Sequence, residues 1–214
     1  MAPLTAAIRL LPAVILISQA IAIACQFLQR TDPTFPLLYF TVDSALLAAV
    51  AAAGTLCRPH DESWLSSLRV ASTVGVLLSA IIFAAVIAPA TPTGTWIQPH
   101  DDDWVRTATI LMHGVAPVLV TVDLLLRPAH GRLWRYLGRS VAWPAIYLAV
   151  LSTLTAVGRA HIPYPFLTPS RVGWWAVLGA ALVLLIAVVA IAAALYAAQR
   201  RFGIAVQAES RTLT

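Results

Sequence analysis

The chain has 214 residues, of which 60% are apolar and only 11% are charged, with a formal net charge of +5 and a mean hydropathy of +0.83. Soluble proteins average about 25% charged residues, so this chain lacks the polar side chains that cover a water-facing surface. The composition excludes an ordinary soluble domain, a disordered chain and a disulfide-rich scaffold. It also argues against nucleic-acid binding, because the basic residues fall in short segments between apolar runs and report membrane orientation.

Six apolar runs are long enough to cross a membrane, since a transmembrane helix needs about 20 mostly apolar residues. They are Leu10–Leu28, Phe35–Leu56, Val70–Ala88, Val105–Leu126, Val141–Val157 and Trp174–Ala198. We interpret the first run as a helix and not as a signal peptide, because no small-residue cleavage site is evident after it. The sequence therefore predicts an all-α membrane protein, with one six-helix domain over residues 1–214 that ends in a short tail over 199–214.

The arginines indicate the orientation, because cytoplasmic loops of membrane proteins are enriched in basic residues. Ten lie on one predicted side: Arg9, Arg58, Arg69, Arg127, Arg132, Arg135, Arg139, Arg200, Arg201 and Arg211. Four lie on the other: Arg30, Arg106, Arg159 and Arg171. This asymmetry predicts that both termini lie in the cytoplasm. It also places Cys25 and Cys57 toward opposite faces, so no disulfide is expected between them.

Three ionisable side chains lie well inside the predicted spans: Asp43, His113 and Asp123. Such groups are costly in lipid, so each one is a functional hypothesis by default. Asp123 precedes Arg127 by one helical turn, a spacing that favours an ion pair. Asp43 lies about 200° around its helix from Thr41 and is expected to face a different helix.

A hydroxyl pair, Thr41 and Ser44, shares one face of the second helix. With a rise of about 1.5 Å per residue, Thr41 lies roughly 9 Å and His113 roughly 12 Å below the outer membrane boundary. The second and fourth helices run in the same direction, so a contact between these two side chains is geometrically allowed.

Pro117 adds a local feature beside the histidine. Proline lacks the amide hydrogen that would bond the carbonyl four residues earlier, which belongs to His113, so the helix should kink or open there. Irregular backbone at membrane depth is tolerated where it is buried in protein or lines a cavity. The sequence thus predicts a pocket in the outer half of the bundle.

Structural explanations exist for the same residues. Threonine in a membrane helix often bonds its own backbone one turn back, and an intramembrane histidine can bridge two helices. The acidic residues Asp101, Asp102 and Asp103 with His100 and His161 could hold a cation, although acidic residues before Val105 also suit a helix N-terminus. A b-type haem is not expected, because only His113 lies within a span.

Three segments together resemble a known family. They are Tyr39-Phe40-Thr41-Val42-Asp43-Ser44, His113-Gly114-Val115-Ala116-Pro117 followed by Asp123, and Pro163-Tyr164-Pro165-Phe166-Leu167 followed by Gly173-Trp174. In this order and spacing they resemble the androgen-induced and androgen-dependent integral membrane proteins, and are most similar to the family's six-span bacterial branch. The chain departs from that pattern at Ala45 and Thr168, where many bacterial members have Asn and Asp.

The resemblance implies an intramembrane hydrolase that cleaves fatty acid esters of hydroxy fatty acids or similar lipid esters. It implies Thr41 as the nucleophile and His113 as its base, with Asp43, Ser44, Pro117 and Asp123 in supporting positions. No cofactor, metal, nucleic acid or protein partner is expected; the partner is a membrane lipid. The alternative is a non-enzymatic lipid-binding protein or a small-solute or proton-coupled transporter that uses the same residues for binding or proton relay.

The orientation can be tested with reporter fusions. A reporter after Thr214 should be active only in a cytoplasmic format, and a tag near Thr93 should be reachable from outside, because the arginine-rich loops stay in the cytoplasm. An externally accessible C-terminus would reverse the topology.

Overall fold

A computed structural model of the protein describes residues 2–57, 63–129 and 131–211. The helices are α1 (Ala2–Leu28), α2 (Phe40–Cys57), α3 (Ser63–Ile82), α4 (Asp103–Thr109), α5 (Ala116–Leu125), α6 (Leu133–Ala156), α7 (Pro169–Val172) and α8 (Trp174–Arg211). A π-helical segment, Ile110–Val115, joins α4 to α5 as one continuous span, and another, Phe83–Ile87, extends α3. No strand occurs among the described residues.

Among the described residues, six helical stretches are long and apolar enough to cross a membrane. They are Leu10–Leu28, Phe40–Cys57, Ser63–Ala90, Asp103–Leu125, Leu133–Ala156 and Trp174–Phe202. The all-α, six-span prediction is therefore confirmed. An even number of spans brings the start of α1 and the end of α8 to the same end of the bundle, opposite the segments that follow α1, α3 and α6.

Several helix boundaries differ from the predicted spans. Helices α3 and α6 begin seven to eight residues earlier than expected, because the polar residues assigned to loops lie in their first turns. Arg69, for example, is buried in α3, and its Nε donates to the Thr55 hydroxyl over 3.1 Å. Helix α8 continues to Arg211, so most of the predicted tail is helical. Helix α2 starts later, after a 3₁₀ turn at Pro36–Leu38.

Small residues allow α2 to pack closely between α1 and α3. Its buried positions are largely alanines, Ala45, Ala48, Ala49, Ala51 and Ala52, and small side chains let helix backbones approach each other in membranes. The main apolar cluster lies beside it, where α3, α6 and α8 meet around Val74, Leu78, Tyr147 and Val188.

Polar side chains tie the helices together at the end of the bundle that holds the termini. Gln199 of α8 is buried, donates from Nε2 to the Leu124 carbonyl over 2.8 Å, and accepts from the Tyr136 hydroxyl over 2.8 Å. These bonds connect α8 to α5 and α6. Both cysteines are free, Cys25 buried and Cys57 exposed, as the sequence predicted.

Gly75 marks the closest approach of α3 to its neighbours. A Cβ at this position would lie 2.6 Å from Ser44 Oγ and 3.0 Å from Trp143 Cδ1. The Trp143 indole N–H donates to the same Ser44 hydroxyl over 3.1 Å. Gly75 therefore permits a junction at which α2, α3 and α6 meet.

We expect Gly75→Ala to destabilise the protein, because overpacking costs about 1–3 kcal/mol and outweighs the gain of up to about 1 kcal/mol from replacing a helical glycine. The matched control is Gly138→Ala in α6, where a new Cβ meets nothing within 4 Å. Thermal unfolding in detergent should show a lower Tm for Gly75→Ala only. Equal melting temperatures would argue against a tight junction.

Candidate functional site

Two π-helical segments lie near the loop end of the bundle. In Ile110–Val115 the Ala116 amide bonds the Leu111 carbonyl, five residues back, and Pro117 supplies no amide hydrogen to the His113 carbonyl. The opening predicted at His113 is therefore observed. In Phe83–Ile87 the Ala88 amide bonds the Phe83 carbonyl in the same way, and Pro89 follows.

These two segments bring an aromatic ring onto His113. The Phe83 and His113 rings stack with their centroids 3.9 Å apart and their planes 4° apart. Trp96 packs edge-on against Phe83, with a centroid distance of 5.4 Å. The imidazole plane is therefore fixed, and His113 Nδ1 is buried with no hydrogen-bond partner in the described part of the chain.

Tyrosine hydroxyls hold the backbone at the start of α2. Tyr147 donates to the Leu38 carbonyl over 2.7 Å, and the Tyr164 hydroxyl accepts the Phe40 amide hydrogen over 2.9 Å. Burial raises the pKa of Tyr164, which keeps its hydroxyl neutral. Between Leu38 and Phe40, the Tyr39 hydroxyl donates to Asp32 Oδ2 over 2.5 Å. We call the bonds of Tyr147 and Tyr164 to Leu38 and Phe40 the tyrosine clamp. The next residue after Phe40 is Thr41.

The first turn of α2 has two unused backbone donors. The Leu38 carbonyl, which lies four residues before Val42, is bonded by Tyr147. Within the described residues, neither the Thr41 nor the Val42 amide has a hydrogen-bond acceptor. Such free N–H groups are a general property of helix N-termini and carry partial positive charge.

A polar cavity of about 780 Å³ opens at the loop end of the bundle. Thr41 and His113 both line it, together with Val42, Phe83 and Trp96. Its rim comes from the segments that follow α1, α3 and α6, including Asp32, Gln98, His100, Asp101, Tyr164 and Phe166. The predicted pocket therefore exists and contains both members of the predicted pair.

A second, apolar cavity of about 160 Å³ lies between α2, α3, α6 and α8. It extends inward past Leu78 and Val188. Thr41 lines this cavity as well as the polar one. The threonine therefore lies at the boundary between a polar compartment and an apolar one.

The Thr41 hydroxyl makes no hydrogen bond to any residue that the structure describes, so the expected bond to its own backbone is not observed. There is also no direct hydrogen bond between Thr41 and His113 in this state. Catalytic hydrogen bonds are often long before substrate binds and shorten in the complex.

Ser44 and Asp43 lie outside both cavities. Ser44 is fully buried and accepts the Trp143 indole hydrogen, so it does not form a hydroxyl pair with Thr41 in the cavity. Asp43 is half-buried and lies near enough to Tyr147 and Tyr164 to act on both electrostatically. Both tyrosines line the apolar cavity together with Thr41, so the predicted orientation of Asp43 away from Thr41 stays a prediction.

Asp123 forms the ion pair that its spacing predicted. Arg127 Nη2 lies 2.9 Å from Asp123 Oδ1, and the two side chains are only 14% and 11% exposed. The ion pair is therefore largely buried. It lies at the termini end of the bundle, far from Thr41.

The acidic segment before α4 has a structural role. Asp102 is the N-cap of α4: it accepts the Val105 amide hydrogen over 2.8 Å and the Arg30 amide hydrogen over 3.0 Å. These hydrogen bonds hold its pKa below the usual range. Asp101 accepts the Gln98 amide hydrogen over 2.7 Å. His100 lines the polar cavity, whereas His161 does not.

Comparison of the chain with protein families, curated proteins and solved structures gave no match.

Sequence reasoning missed the residues that position the pair. Phe83, Trp96 and Tyr147 contact their partners across 13 to 109 residues of chain, by the differences between their numbers. Pro89 was an available signal, because it follows Ala85 with the same spacing that Pro117 has to His113.

The two acids should respond differently to neutralisation. Asp123→Asn should lower stability by about 1.5–3 kcal/mol, the range for a hydrogen bond to a charged group, and leave any Thr41-dependent activity intact. Asp43→Asn should reduce that activity more than stability, because Asp43 faces the tyrosines that hold the start of α2. Thermal unfolding and turnover, measured on both variants, separate these effects. Equal and severe activity losses in folded protein would instead favour a proton path through the bundle.

Proposed function

We propose that the protein is a hydrolase of lipid esters in a bacterial inner membrane, with both termini in the cytoplasm. Thr41 is the nucleophile and His113 is its base. The observation that carries the proposal is the position of Thr41, which lines both the polar and the apolar cavity and shares the polar one with His113. A lipid ester matches this arrangement, because its polar carbonyl group adjoins an apolar acyl chain.

The proposed reaction proceeds in two steps. Thr41 Oγ1 attacks the ester carbonyl while His113 accepts the hydroxyl proton, and collapse of the tetrahedral intermediate transfers that proton to the departing alcohol. Water then attacks the acyl-threonine with His113 again as base, which releases the fatty acid and restores the threonine hydroxyl. The stacked Phe83 ring fixes the imidazole plane during both transfers.

The free amides at the start of α2 can stabilise the intermediate. Donors directed at the developing oxyanion contribute strongly to acyl transfer, and loss of one such donor costs about 2.7–4 kcal/mol in a well-studied protease. The Thr41 and Val42 N–H groups belong to the nucleophile and to the next residue, so they adjoin the reacting carbonyl. The positive end of the α2 dipole adds to their effect.

The membrane can supply the substrate directly. Ala145 of α6 and Leu185 of α8 line the apolar cavity and are both exposed on the outer surface of the bundle. This opening between α6 and α8 admits an acyl chain from the side, so the proposal needs no aqueous channel.

The second candidate is non-enzymatic lipid binding or transport. It is favoured by the absence of a direct bond between Thr41 and His113 within the described chain, since binding residues need not contact each other. A fluorophosphonate probe separates the two functions, because it labels an activated hydroxyl and leaves a binding site unmodified.

Thr41 and His113 should behave as one unit. We expect Thr41→Val and His113→Ala each to lower the turnover of a lipid ester about 100-fold or more. The double variant should be scarcely worse, since residues that act together are strongly non-additive. Thr41→Ser keeps a hydroxyl and should retain some turnover. Turnover should also rise with pH as His113 loses its proton, and this dependence should disappear in His113→Ala.

Ser44→Ala is the matched control, because it removes a hydroxyl one turn away on the same helix but outside both cavities. It should leave the catalytic rate largely unchanged. Near wild-type turnover by Thr41→Val would refute the nucleophile assignment. Additive losses in the double variant would indicate independent binding contacts.

A further inference from the structure

The polar cavity is acidic in a protein that is otherwise basic. The chain has 14 basic and 9 acidic residues, yet Asp32 and Asp101 line the cavity and, among the residues that the structure describes, no arginine does. Its other titratable side chains are His100, His113, Tyr39 and Tyr164. Counted formally, with the histidines taken as neutral as in the net charge of the whole chain, the two carboxylates give the cavity lining a charge of −2.

Two neighbouring arginines, Arg30 and Arg106, are not among the residues that line the cavity. Val105, Thr109 and His113 line the cavity at successive turns of one helix face, and Arg106 lies about 100° away from Val105 on that helix. Arg30 lies between two lining residues, but its side chain is exposed and is not part of the cavity wall.

Both carboxylates are fixed in place. Asp32 accepts the Thr34 amide hydrogen at Oδ1 over 2.8 Å and the Tyr39 hydroxyl at Oδ2. The Asp101 side chain is only 9% exposed, and its Oδ1 lies 3.8 Å from Nε2 of the exposed His100. The negative charge is therefore a built feature of the wall and not a freely moving surface group.

Aromatic rings complete the wall. Tyr39, Phe83, Trp96, Tyr164 and Phe166 all line the polar cavity. Aromatic faces attract cations, and this attraction is stronger where it is shielded from water. They offer no compensation to a carboxylate, whose burial without a positive partner is strongly unfavourable.

On the basis of the proposed function, we infer that the substrate is an acyl ester whose alcohol part carries no negative charge. The acyl chain occupies the apolar cavity beyond Thr41, and an uncharged or cationic alcohol part, such as a polyol or a quaternary amino alcohol, occupies the polar cavity. An ester of a hydroxy fatty acid carries a free carboxylate, which this cavity repels. The inference narrows the class of lipid ester that the proposed reaction consumes.

Binding to Thr41→Ala protein in nanodiscs of uncharged lipid tests the inference without hydrolysis. The probes share one acyl chain: dodecanoylglycerol, dodecanoylcholine and the dodecanoyl ester of a hydroxy fatty acid. We expect the anionic ester to bind at least about tenfold more weakly than each of the other two, because two fixed carboxylates oppose it. Equal or tighter binding of the anionic ester, or no binding of any probe, overturns the inference.

The carboxylates can be tested individually. Asp101→Asn retains an oxygen that can accept the Gln98 amide hydrogen, and Asp32→Asn retains one of the two oxygens that accept from Thr34 and Tyr39. Each substitution should reduce the discrimination against the anionic ester. Asp103→Asn is the matched control, because Asp103 is exposed and does not line the cavity, and it should leave the ratio unchanged. An equal change in all three variants would contradict a local effect of the cavity.

Turnover by the wild-type protein distinguishes the two proposals. Selective binding without hydrolysis of any probe would refute the hydrolase and support the charge selectivity. Thr41-dependent hydrolysis that is fastest for the anionic ester would support the hydrolase and refute the charge selectivity.

Discussion

The start of α2 is the constraint on which the site depends. Tyr147 and Tyr164 bond opposite backbone groups of the short segment from Leu38 to Phe40, so the first turn of α2 is attached to α6 and to the segment after it. These bonds fix the position of Thr41. The Thr41 and Val42 amides, which come next in the helix, have no acceptor among the described residues. In a membrane interior, where unsatisfied backbone groups are costly, such amides persist only because they face a cavity.

His113 is positioned by a different set of contacts. Two π-helical segments each place an extra residue in a helical turn, and the stack of Phe83 on His113 joins them. π-helical turns are rare and frequently occur at functional sites. Thr41 and His113 are thus held by separate parts of the bundle, and both line the same cavity.

Local patterns in the sequence predicted a large part of this structure. Six apolar runs were sufficient for the fold class, and the Asp123–Arg127 pair and the opening at His113 each depend on residues four apart. The early starts of α3 and α6 were missed because hydropathy assigns arginines to loops, whereas Arg69 is buried and bonded to Thr55. The Phe83 stack and the tyrosine clamp depend on side chains from distant parts of the chain, and no local pattern encodes their meeting. The sequence places Thr41 and His113 at one depth, but only the packing shows that Thr41 separates a polar from an apolar compartment.

The ties around Gln199 have a mechanical consequence for α8. This helix is anchored to α5 and α6 at one end, while Leu185, near the side opening, lies 14 residues away and about 21 Å along the axis. A rigid tilt of about 5° about Gln199 would displace Leu185 by about 2 Å. The width of the gap between α6 and α8 at the side opening therefore depends on the tilt of α8.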